Sequence, residues 1–317
     1  VTIYPAAAEN IATAAKHLRA GELVAFPTET VYGLGADATN DAAIAKIYAL
    51  KKRPAFNPLI VHIAAFEWLG TLAQTDDRAV ILAKAFWPGP LTLVLPRAEN
   101  CSASKLVSPN LNTIAVRQPD HPIAAQLLAA VERPLAAPSA NLSGHVSPTL
   151  AQHVAADFGN DLKFILDGGP CQTGLESTVL DLSTANAKLL RSGAISAIDI
   201  AAHIGPLDDT PPKTATSHDD VKSPGQLEKH YAPSVPVRLE AENANAGEAL
   251  IGFGSTANAD INLSPSGDLT EAAANLFHAL RSLDDPTRFS GIAVAPIPMT
   301  GIGIAINDRL RRAGLGR

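Results

Sequence analysis

Cysteine is nearly absent from this chain: Cys101 and Cys171 are the only two in 317 residues. Two thiols cannot build a disulfide framework or a four-thiolate metal site, and such sparse use fits a reducing compartment. Long apolar runs are missing too. The most apolar late stretch, Gly291 to Ile306, is broken by Pro296, Pro298 and several glycines, and it is shorter than the ~20 residues a bilayer requires. No basic segment followed by an apolar run opens the sequence, so no signal peptide is expected; the expectation is a soluble, cytoplasmic protein without membrane contact. An excess of positive charge is lacking as well, because 25 Lys and Arg stand against 31 Asp and Glu, for a net charge of −6. Broad non-specific binding of nucleic acid relies on a net basic surface and is disfavoured here. Anionic ligands must be held by local basic clusters. Several motifs are absent: the Gly-x-x-x-x-Gly-Lys-Ser/Thr phosphate loop, His-Glu-x-x-His, Cys-x-x-Cys, and the Gly-x-Ser-x-Gly elbow that would let His145 serve a serine hydrolase. ATP chemistry would need a less common pocket.

What is present is a globular composition, 46 % hydrophobic and 18 % charged, with a length that suggests about two domains. Up to Gly205, β-prone runs alternate with helical spacing. Val1–Tyr4, Leu23–Phe26, Leu59–Ile63, Leu91–Leu95, Thr113–Val116, Leu135–Ala137, Phe164–Leu166, Thr178–Leu182 and Leu189–Leu190 read as strands. Helical patterns fall between them: one carries Ile11, Ala14, Ala15 and Leu18, one starts at Asn40 or Asp41, one is capped by Thr75, and two lie near Ile123–Val131 and Leu150–Phe158. This predicts an α/β or α+β domain with a mixed sheet. Leu207 to Pro224 is rich in Asp, Thr, Pro, Ser and Lys and reads as a linker or mobile loop. Strands at Val237–Leu239, Leu250–Phe253 and Ile292–Ala295 follow. A helix from Thr270 to about Leu283 is capped by Thr270 or Asp268. A closing helix, Ile304–Leu315, is expected to turn Arg309, Arg311 and Arg312 outward. The boundaries read as 1–205, 206–234 and 235–317, with no internal repeat.

Candidate chemistry concentrates in short segments. Pro27-Thr28-Glu29-Thr30-Val31-Tyr32-Gly33-Leu34-Gly35 directly follows a buried strand, and its hydroxyls, carboxylate and glycines suit a small polar ligand held near backbone amides. Gly33-Leu34-Gly35-Ala36-Asp37-Ala38 also fits a relaxed dinucleotide fingerprint, but its glycines sit too far past the strand, and no acidic residue ends a second strand at the right distance. Lys51-Lys52-Arg53 closes a helix, where cations offset the partial negative charge of its C-terminus, or neutralises phosphate oxygens. It feeds a loop with Asn57 and a strand carrying His62. Ala136 to Gly144, with Ser147 beyond, offers small residues and hydrogen-bonding side chains. Thr113 and Arg117 share one strand face. Glu176-Ser177-Thr178 opens another strand, and Arg191 ends the next. Ser223-Pro224-Gly225 and His230-Tyr231-Ala232-Pro233 stand in the connector, where Tyr231 is either an anchor or part of a lid.

In this order, Pro-Thr-Glu-Thr-Val-Tyr-Gly-Leu-Gly, Lys-x-Arg-Pro-x-x-Asn-Pro-Leu, Pro-Ser-Ala-Asn-x-Ser-Gly, Glu-Ser-Thr-Val and the connector motifs resemble the YrdC-like family, in the long two-domain form of its threonylcarbamoyl-AMP synthases. The resemblance covers nearly the whole chain. It implies a twisted, mixed open sheet with helices around a large cavity, followed by a small Rossmann-like α/β C-terminal domain. It also implies a nucleotidyltransferase that converts L-threonine, bicarbonate and ATP to L-threonylcarbamoyladenylate and pyrophosphate. The product would pass to a tRNA threonylcarbamoyl transferase for threonylcarbamoyladenosine modification of tRNA. Mg2+ or Mn2+ would accompany ATP, bound mainly through phosphates, with no protein metal ligand implied. By position, Thr30, His62, Arg117, the Ala137 backbone and Ser177 correspond to threonine contacts. Arg53, Asn57, Thr113, Ser139, Asn141, Ser147, Arg191 and Tyr231 correspond to ATP contacts, and Lys51 and Arg53 to the catalytic cations, both expected to face a polar cavity. Gln226-Leu227-Glu228-Lys229 departs from the more basic pattern of relatives. No obvious carboxylate base is visible, so positioning and electrostatics are expected to carry the rate. Two other readings use the same residues: a non-catalytic RNA-binding module, which would bind RNA tightly where the enzyme makes at most a weak RNA contact, and an adenylate former with another amine.

Overall fold

The structure is a computed structural model that describes residues 2–208, 223, 225 and 230–316. Most of the predicted linker, and the departure at Gln226–Lys229, lie outside the described residues. The first part of the chain contains β1 (Thr2–Pro5), α1 (Ala8–Arg19), β2 (Val24–Phe26), β3 (Gly33–Asp37), α2 (Asp41–Lys51), β4 (Ile60–His62), α3 (Asp77–Phe86) and β5 (Leu91–Pro96). It continues through β6 (Thr113–Arg117), α4 (Pro122–Val131), β7 (Leu135–Ala136), α5 (Ala151–Phe158), β8 (Phe164–Asp167), β9 (Thr178–Asp181), β10 (Lys188–Arg191) and α6 (Ala197–Ile204). The second part contains β11 (Val237–Arg238), β12 (Glu248–Gly252), β13 (Ile261–Asn262), α7 (Leu269–Ser282), β14 (Gly291–Val294) and α8 (Gly303–Gly314).

Capping chemistry sets where the helices start. The Asn40 side chain accepts from the Ala43 amide at 3.1 Å, as expected from an amide side chain placed before an apolar-periodic run. The start of α3 differs from the sequence reading: Asp76, not Thr75, is the cap, its carboxylate accepting from Ala79 N at 3.1 Å. Asp268 rather than Thr270 caps α7. The two-residue β13 is too short to be read from sequence, and α6, which opens on a capping box of Ser196 and Asp199, is a helix missing from the sequence reading.

Ten strands form one mixed sheet in the order β1-β8-β2-β3-β7-β4-β6-β5-β9-β10. Alternation along β2 buries both faces: Val24 and Phe26 pack with α1 and α4, while Ala25 joins the cluster beneath α2 and α3. The glycine-rich segment after β2 is itself a strand, since Gly33–Asp37 pairs antiparallel with β2 and then with β7. Its glycines lie inside a ladder, which removes the dinucleotide reading.

The remaining four strands form a parallel sheet, β11-β14-β12-β13, with α7 and α8 packed together and α8 against β11. Its apolar core continues across to Val31, Val146, Leu175 and Tyr231. Polar contacts join the same surfaces. Arg281 pairs with Asp157 at 2.6 Å and donates to the Ser147 and Val146 carbonyls. His153 stacks on His278 with centroids 5.5 Å apart. Gly174, at φ +70, admits the α7 backbone so closely that a Cβ there would lie 2.5 Å from Ala274 Cα. The outward arginine face expected on α8 is also corrected. Arg311 is exposed, but Arg309 is completely buried and Arg312 nearly so.

Among the described residues, no helix is long and apolar enough to cross a membrane.

Candidate active site

The centre of the large sheet opens into a cavity walled by strand ends. The β2–β3 connection supplies Thr28, Thr30 and Val31, β4 supplies Ile60 and His62, and β6 ends on Arg117. The chain after β7 supplies Ala137, Pro138 and Ser139. Glu176 and Ser177 enter just before β9, Arg191 ends β10, and Arg53 follows α2. Gly225, His230 and Tyr231 complete the wall. The free volume is about 50 Å³, small beside the roughly 300–1,000 Å³ of pockets that hold ligands of drug size.

Register explains part of this meeting. His62 is the parallel-ladder partner of Arg117, so the two side chains stand on one face of neighbouring strands. Burial, and then the Arg117 charge, bring the His62 imidazole down to about 3, so it is neutral near pH 7, and its buried Nδ1 has no partner among the described residues. Arg117 donates from Nη1 to Thr30 Oγ1 at 2.9 Å and from Nε to the Gly89 carbonyl at 3.2 Å. Its Nη2 lies 2.5 Å from Glu29 Oε1, a charge contact without hydrogen-bond alignment. Thr28 Oγ1 donates to the Val31 carbonyl at 2.6 Å, which leaves the Thr30 hydroxyl to donate to Thr28 at 2.8 Å. The Ala137 amide is taken by the Ile60 carbonyl, so a ligand contact from that backbone falls to its carbonyl oxygen.

On the other side, Arg191 donates to the Ser177 carbonyl at 3.0 Å and to Ser177 Oγ at 3.1 Å. Gly225 has φ +84, and a Cβ there would lie 2.9 Å from Arg191 Cδ, so both its conformation and its space require glycine. Arg53 donates to the Asn57 and Pro58 carbonyls at 3.1 and 2.8 Å. Burial brings its guanidinium down to about 10, which leaves it charged at neutral pH. Arg53, Arg117 and Arg191 thus give a local positive field within a chain of net negative charge.

The structure gathers Thr30, Arg53, His62, Arg117, Ala137, Ser139, Ser177, Arg191 and Tyr231 at one wall. Lys51, Asn57, Thr113, Asn141 and Ser147 do not line it. The expectation that Lys51 faces the cavity is not met. Its Nζ is buried and donates to the Ser139 carbonyl at 2.6 Å and to the Asn141 carbonyl, and burial with the nearby Arg53 holds it well below the usual lysine range. Asn141 Nδ2 is spent on Leu142 and His145 carbonyls, while its Oδ1 and that of Asn57 are buried and unpartnered among the described residues. Thr113 sits at the opposite end of β6 from Arg117. Ser147 Oγ donates to Glu176 Oε1 at 2.5 Å. Lys51→Met is therefore expected to act through the Pro138–Leu142 loop. The buried Asn141 carbonyl and the partly buried Ser139 carbonyl lose their donor, the buried one at about 1–3 kcal/mol, so the melting temperature should drop together with activity. Lost activity at unchanged melting temperature would return Lys51 to a direct role.

Two carboxylates near the cavity lie within motifs quoted above but carry no assigned role there. Glu176 lines the cavity, and Glu29 stands behind Arg117. Burial pushes the Glu176 carboxyl up, but the Arg309 and Arg191 charges and the Ser147 hydrogen bond outweigh it and bring it down to about 2. His230 joins them without a predicted role; burial takes it to about 3, and its Nδ1 has no partner among the described residues. Tyr231 is an anchor that also lines the cavity. It is fully buried, stacked on Phe277 with centroids 5.5 Å apart, and it faces the cavity. Its φ of +65 is rare for a bulky residue and costs about 1–3 kcal/mol, which the packing must offset.

The family described as "Telomere recombination" matches residues 16–193, and the family described as "Threonylcarbamoyl-AMP synthase, C-terminal domain" matches residues 195–314. The chain is 43 % identical to the threonylcarbamoyl-AMP synthase of Pyrococcus abyssi, over 96 % of this chain and 94 % of that protein. It is 42 % identical to the Bacillus subtilis protein of the same name, over 97 % and 94 %. Among solved structures, that of P. abyssi Sua5 complexed with L-threonine superposes with a TM-score of 0.91 at 41 % identity, covering 99 % of this chain and 98 % of that one. Escherichia coli YciO, at 22 % identity and TM-score 0.57, shares the fold over 63 % of this chain and 98 % of its own.

Proposed function

The chain belongs to the threonylcarbamoyl-AMP synthase family, and from that premise we propose that its cavity joins L-threonine, bicarbonate and ATP into L-threonylcarbamoyl-AMP with release of pyrophosphate, a nucleotidyl transfer. The observation that carries this reading is the meeting of Thr30, His62, Arg117, Ser139, Ser177 and Arg191, spread along the first domain, at one cavity.

Arg117 meets the threonine carboxylate, where a planar fork suits two oxygens. The neutral His62 Nδ1 accepts the single proton of the substrate hydroxyl, and the remaining lone pair of Thr30 is left for the substrate amine. Ser177 and the Ala137 carbonyl close this side. Arg53, Arg191, Ser139 and Tyr231 face ATP. Asn57, Thr113, Asn141 and Ser147, set back from the wall, reach it only after a shift or act through their neighbours. Bicarbonate gives carbon dioxide and hydroxide; the amine nitrogen adds to the carbon dioxide, and the hydroxide takes the proton that the nitrogen loses, so that water leaves and the carbamate remains. A carbamate oxygen then attacks the α-phosphorus, and the bond to the pyrophosphate oxygen breaks. Glu176 is already engaged by Arg309 and Ser147, and Glu29 by Arg117. Both carboxylates near the cavity stand against arginines, and Mg2+ or Mn2+ enters with ATP as part of the substrate, held through its phosphates. Arginine charge around the triphosphate screens it from the approaching carbamate.

Carbamates decompose in water, so solvent must be excluded. Gly225, His230 and Tyr231 close the nucleotide side of the cavity and so help to keep water from the carbamate. The product is a reactive adenylate for a tRNA threonylcarbamoyl transferase, in the cytoplasm. Direct RNA binding is the competing reading; tight, steeply salt-dependent RNA binding without label incorporation would favour it.

Incorporation of 13C-bicarbonate into threonylcarbamoyl-AMP, followed by mass spectrometry, tests the proposal. Threonine should be preferred to both serine and valine. Serine lacks one methyl, worth about 1–3 kcal/mol, whereas valine leaves the group that binds the hydroxyl unpaired. Serine should be the better of the two poor substrates. Valine used as well as threonine would refute the assignment of His62.

A further inference from the structure

We infer that the small parallel-sheet domain is part of the catalytic unit through Arg309 of α8, a positioning residue that fixes Glu176 and Tyr231 in the wall of the cavity. The inference rests on the reaction proposed above and concerns the nucleotide side of that site.

Arg309 is completely buried, although it lies on a helix whose Arg311 is exposed and whose Asp308 is partly so. A buried guanidinium persists only when paired. Here Nε donates to Glu176 Oε2 at 3.1 Å, and Nη1 donates to the Ser192 carbonyl at 2.7 Å and to Asp308 Oδ2 at 3.2 Å. Two of these three acceptors lie beside the large domain's site: Glu176 adjoins Ser177 before β9, and Ser192 follows Arg191. The guanidinium carbon also stands 5.5 Å from the centroid of the Tyr231 ring, within cation–π reach. Arg312, one helical turn on, donates to the Gly225 carbonyl. Thus α8 touches Glu176, Tyr231 and Gly225, which all line the cavity. Thr30 and Arg117, in contrast, are held by Thr28, Glu29 and Gly89 from the large domain. Ser177 is the one assigned threonine contact beside Glu176, and its hydroxyl is held by Thr92 and Arg191 of the large domain; loss of Arg309 should therefore be felt by ATP far more than by threonine. A structural strut would instead remove folded enzyme and lower both activities together.

The experiment measures pyrophosphate release by the full chain at varied ATP and at varied threonine for Arg309→Met and Arg309→Lys, with melting temperatures alongside. The methionine variant is expected to raise the KM for ATP at least about tenfold while the KM for threonine stays within about twofold. The lysine variant, which keeps a charge beside Glu176 but loses the planar fork, should fall between it and the wild type. A folded methionine variant with wild-type KM for ATP, or with both KM values raised alike, overturns the inference. If that variant does not fold, the lysine variant decides: a KM for ATP raised about threefold or more, with threonine unaffected, supports the role, and an unchanged one overturns it. Wild-type dependence on threonine and bicarbonate, measured in the same assay, tests the proposed reaction separately.

Discussion

Arg117→Ala is expected to lower kcat/KM for threonine at least about a hundredfold and to lower the melting temperature in the same step. The two losses have separate causes. Charge-assisted hydrogen bonds are worth about 1.5–3 kcal/mol each, and a fork that binds both carboxylate oxygens loses two of them. Stability falls because Glu29, buried and 2.5 Å from the Arg117 guanidinium, is left as an unpaired charge. Breaking a buried pair by removing one partner costs about 3–5 kcal/mol. The double variant Glu29→Gln/Arg117→Met separates the causes, since it leaves no unpaired charge. It should recover much of the melting temperature and none of the threonine turnover. Restored turnover in the double variant would remove Arg117 from the substrate carboxylate.

Acid should destabilise the fold steeply. His62 and His230 are buried and neutral, each brought down to about 3. The unfolded chain binds a proton at each below about pH 6.5, while the folded chain does not until near pH 3, so the unfolded state holds more protons throughout that window. Stability then falls as pH falls, by about 1.4 kcal/mol per pH unit for each proton. Glu176, brought down to about 2, adds a loss of the same sign below about pH 4.5. Melting temperatures followed from about pH 7.5 to about pH 4 should drop with a slope that His62→Gln and His230→Gln each reduce. A flat profile in the wild type would mean that these imidazoles are not buried neutral.

Much of the large domain is legible in the amino-acid sequence. Apolar runs bounded by Pro and Gly mark β2, β4, β5 and β6, and Asn40 before an Ile44–Ile47 spacing marks α2. Gly33–Asp37 is not legible as a strand, because two glycines argue locally for a turn. Its strand character comes from pairing with Val24–Phe26 and with Leu135–Ala136, the latter distant in sequence. Thr75 and Asp76 are both competent caps, and spacing alone does not choose between them. The site residues are legible through ordered motifs and not through composition, since each hydroxyl, amide or cation alone is ordinary. Arg309 is not legible by either route. Charge on a helix reads as a solvent face, and Arg309 shares its buried face with Ile306, Leu310 and Ala313 only because Glu176 waits for it across 133 positions of sequence. Lys51 shows the converse. Its motif marks the right region, but its ammonium ends on backbone carbonyls, which no spacing rule foretells.

The proposed reaction stands most directly on its substrate requirement. Pyrophosphate release by the full chain should be measured with ATP present and with L-threonine and bicarbonate each omitted in turn. Release is expected to require all three and to match the threonylcarbamoyl-AMP formed, mole for mole. Release that persists without threonine or without bicarbonate, or no release with all three present, would contradict the reaction assigned to this cavity.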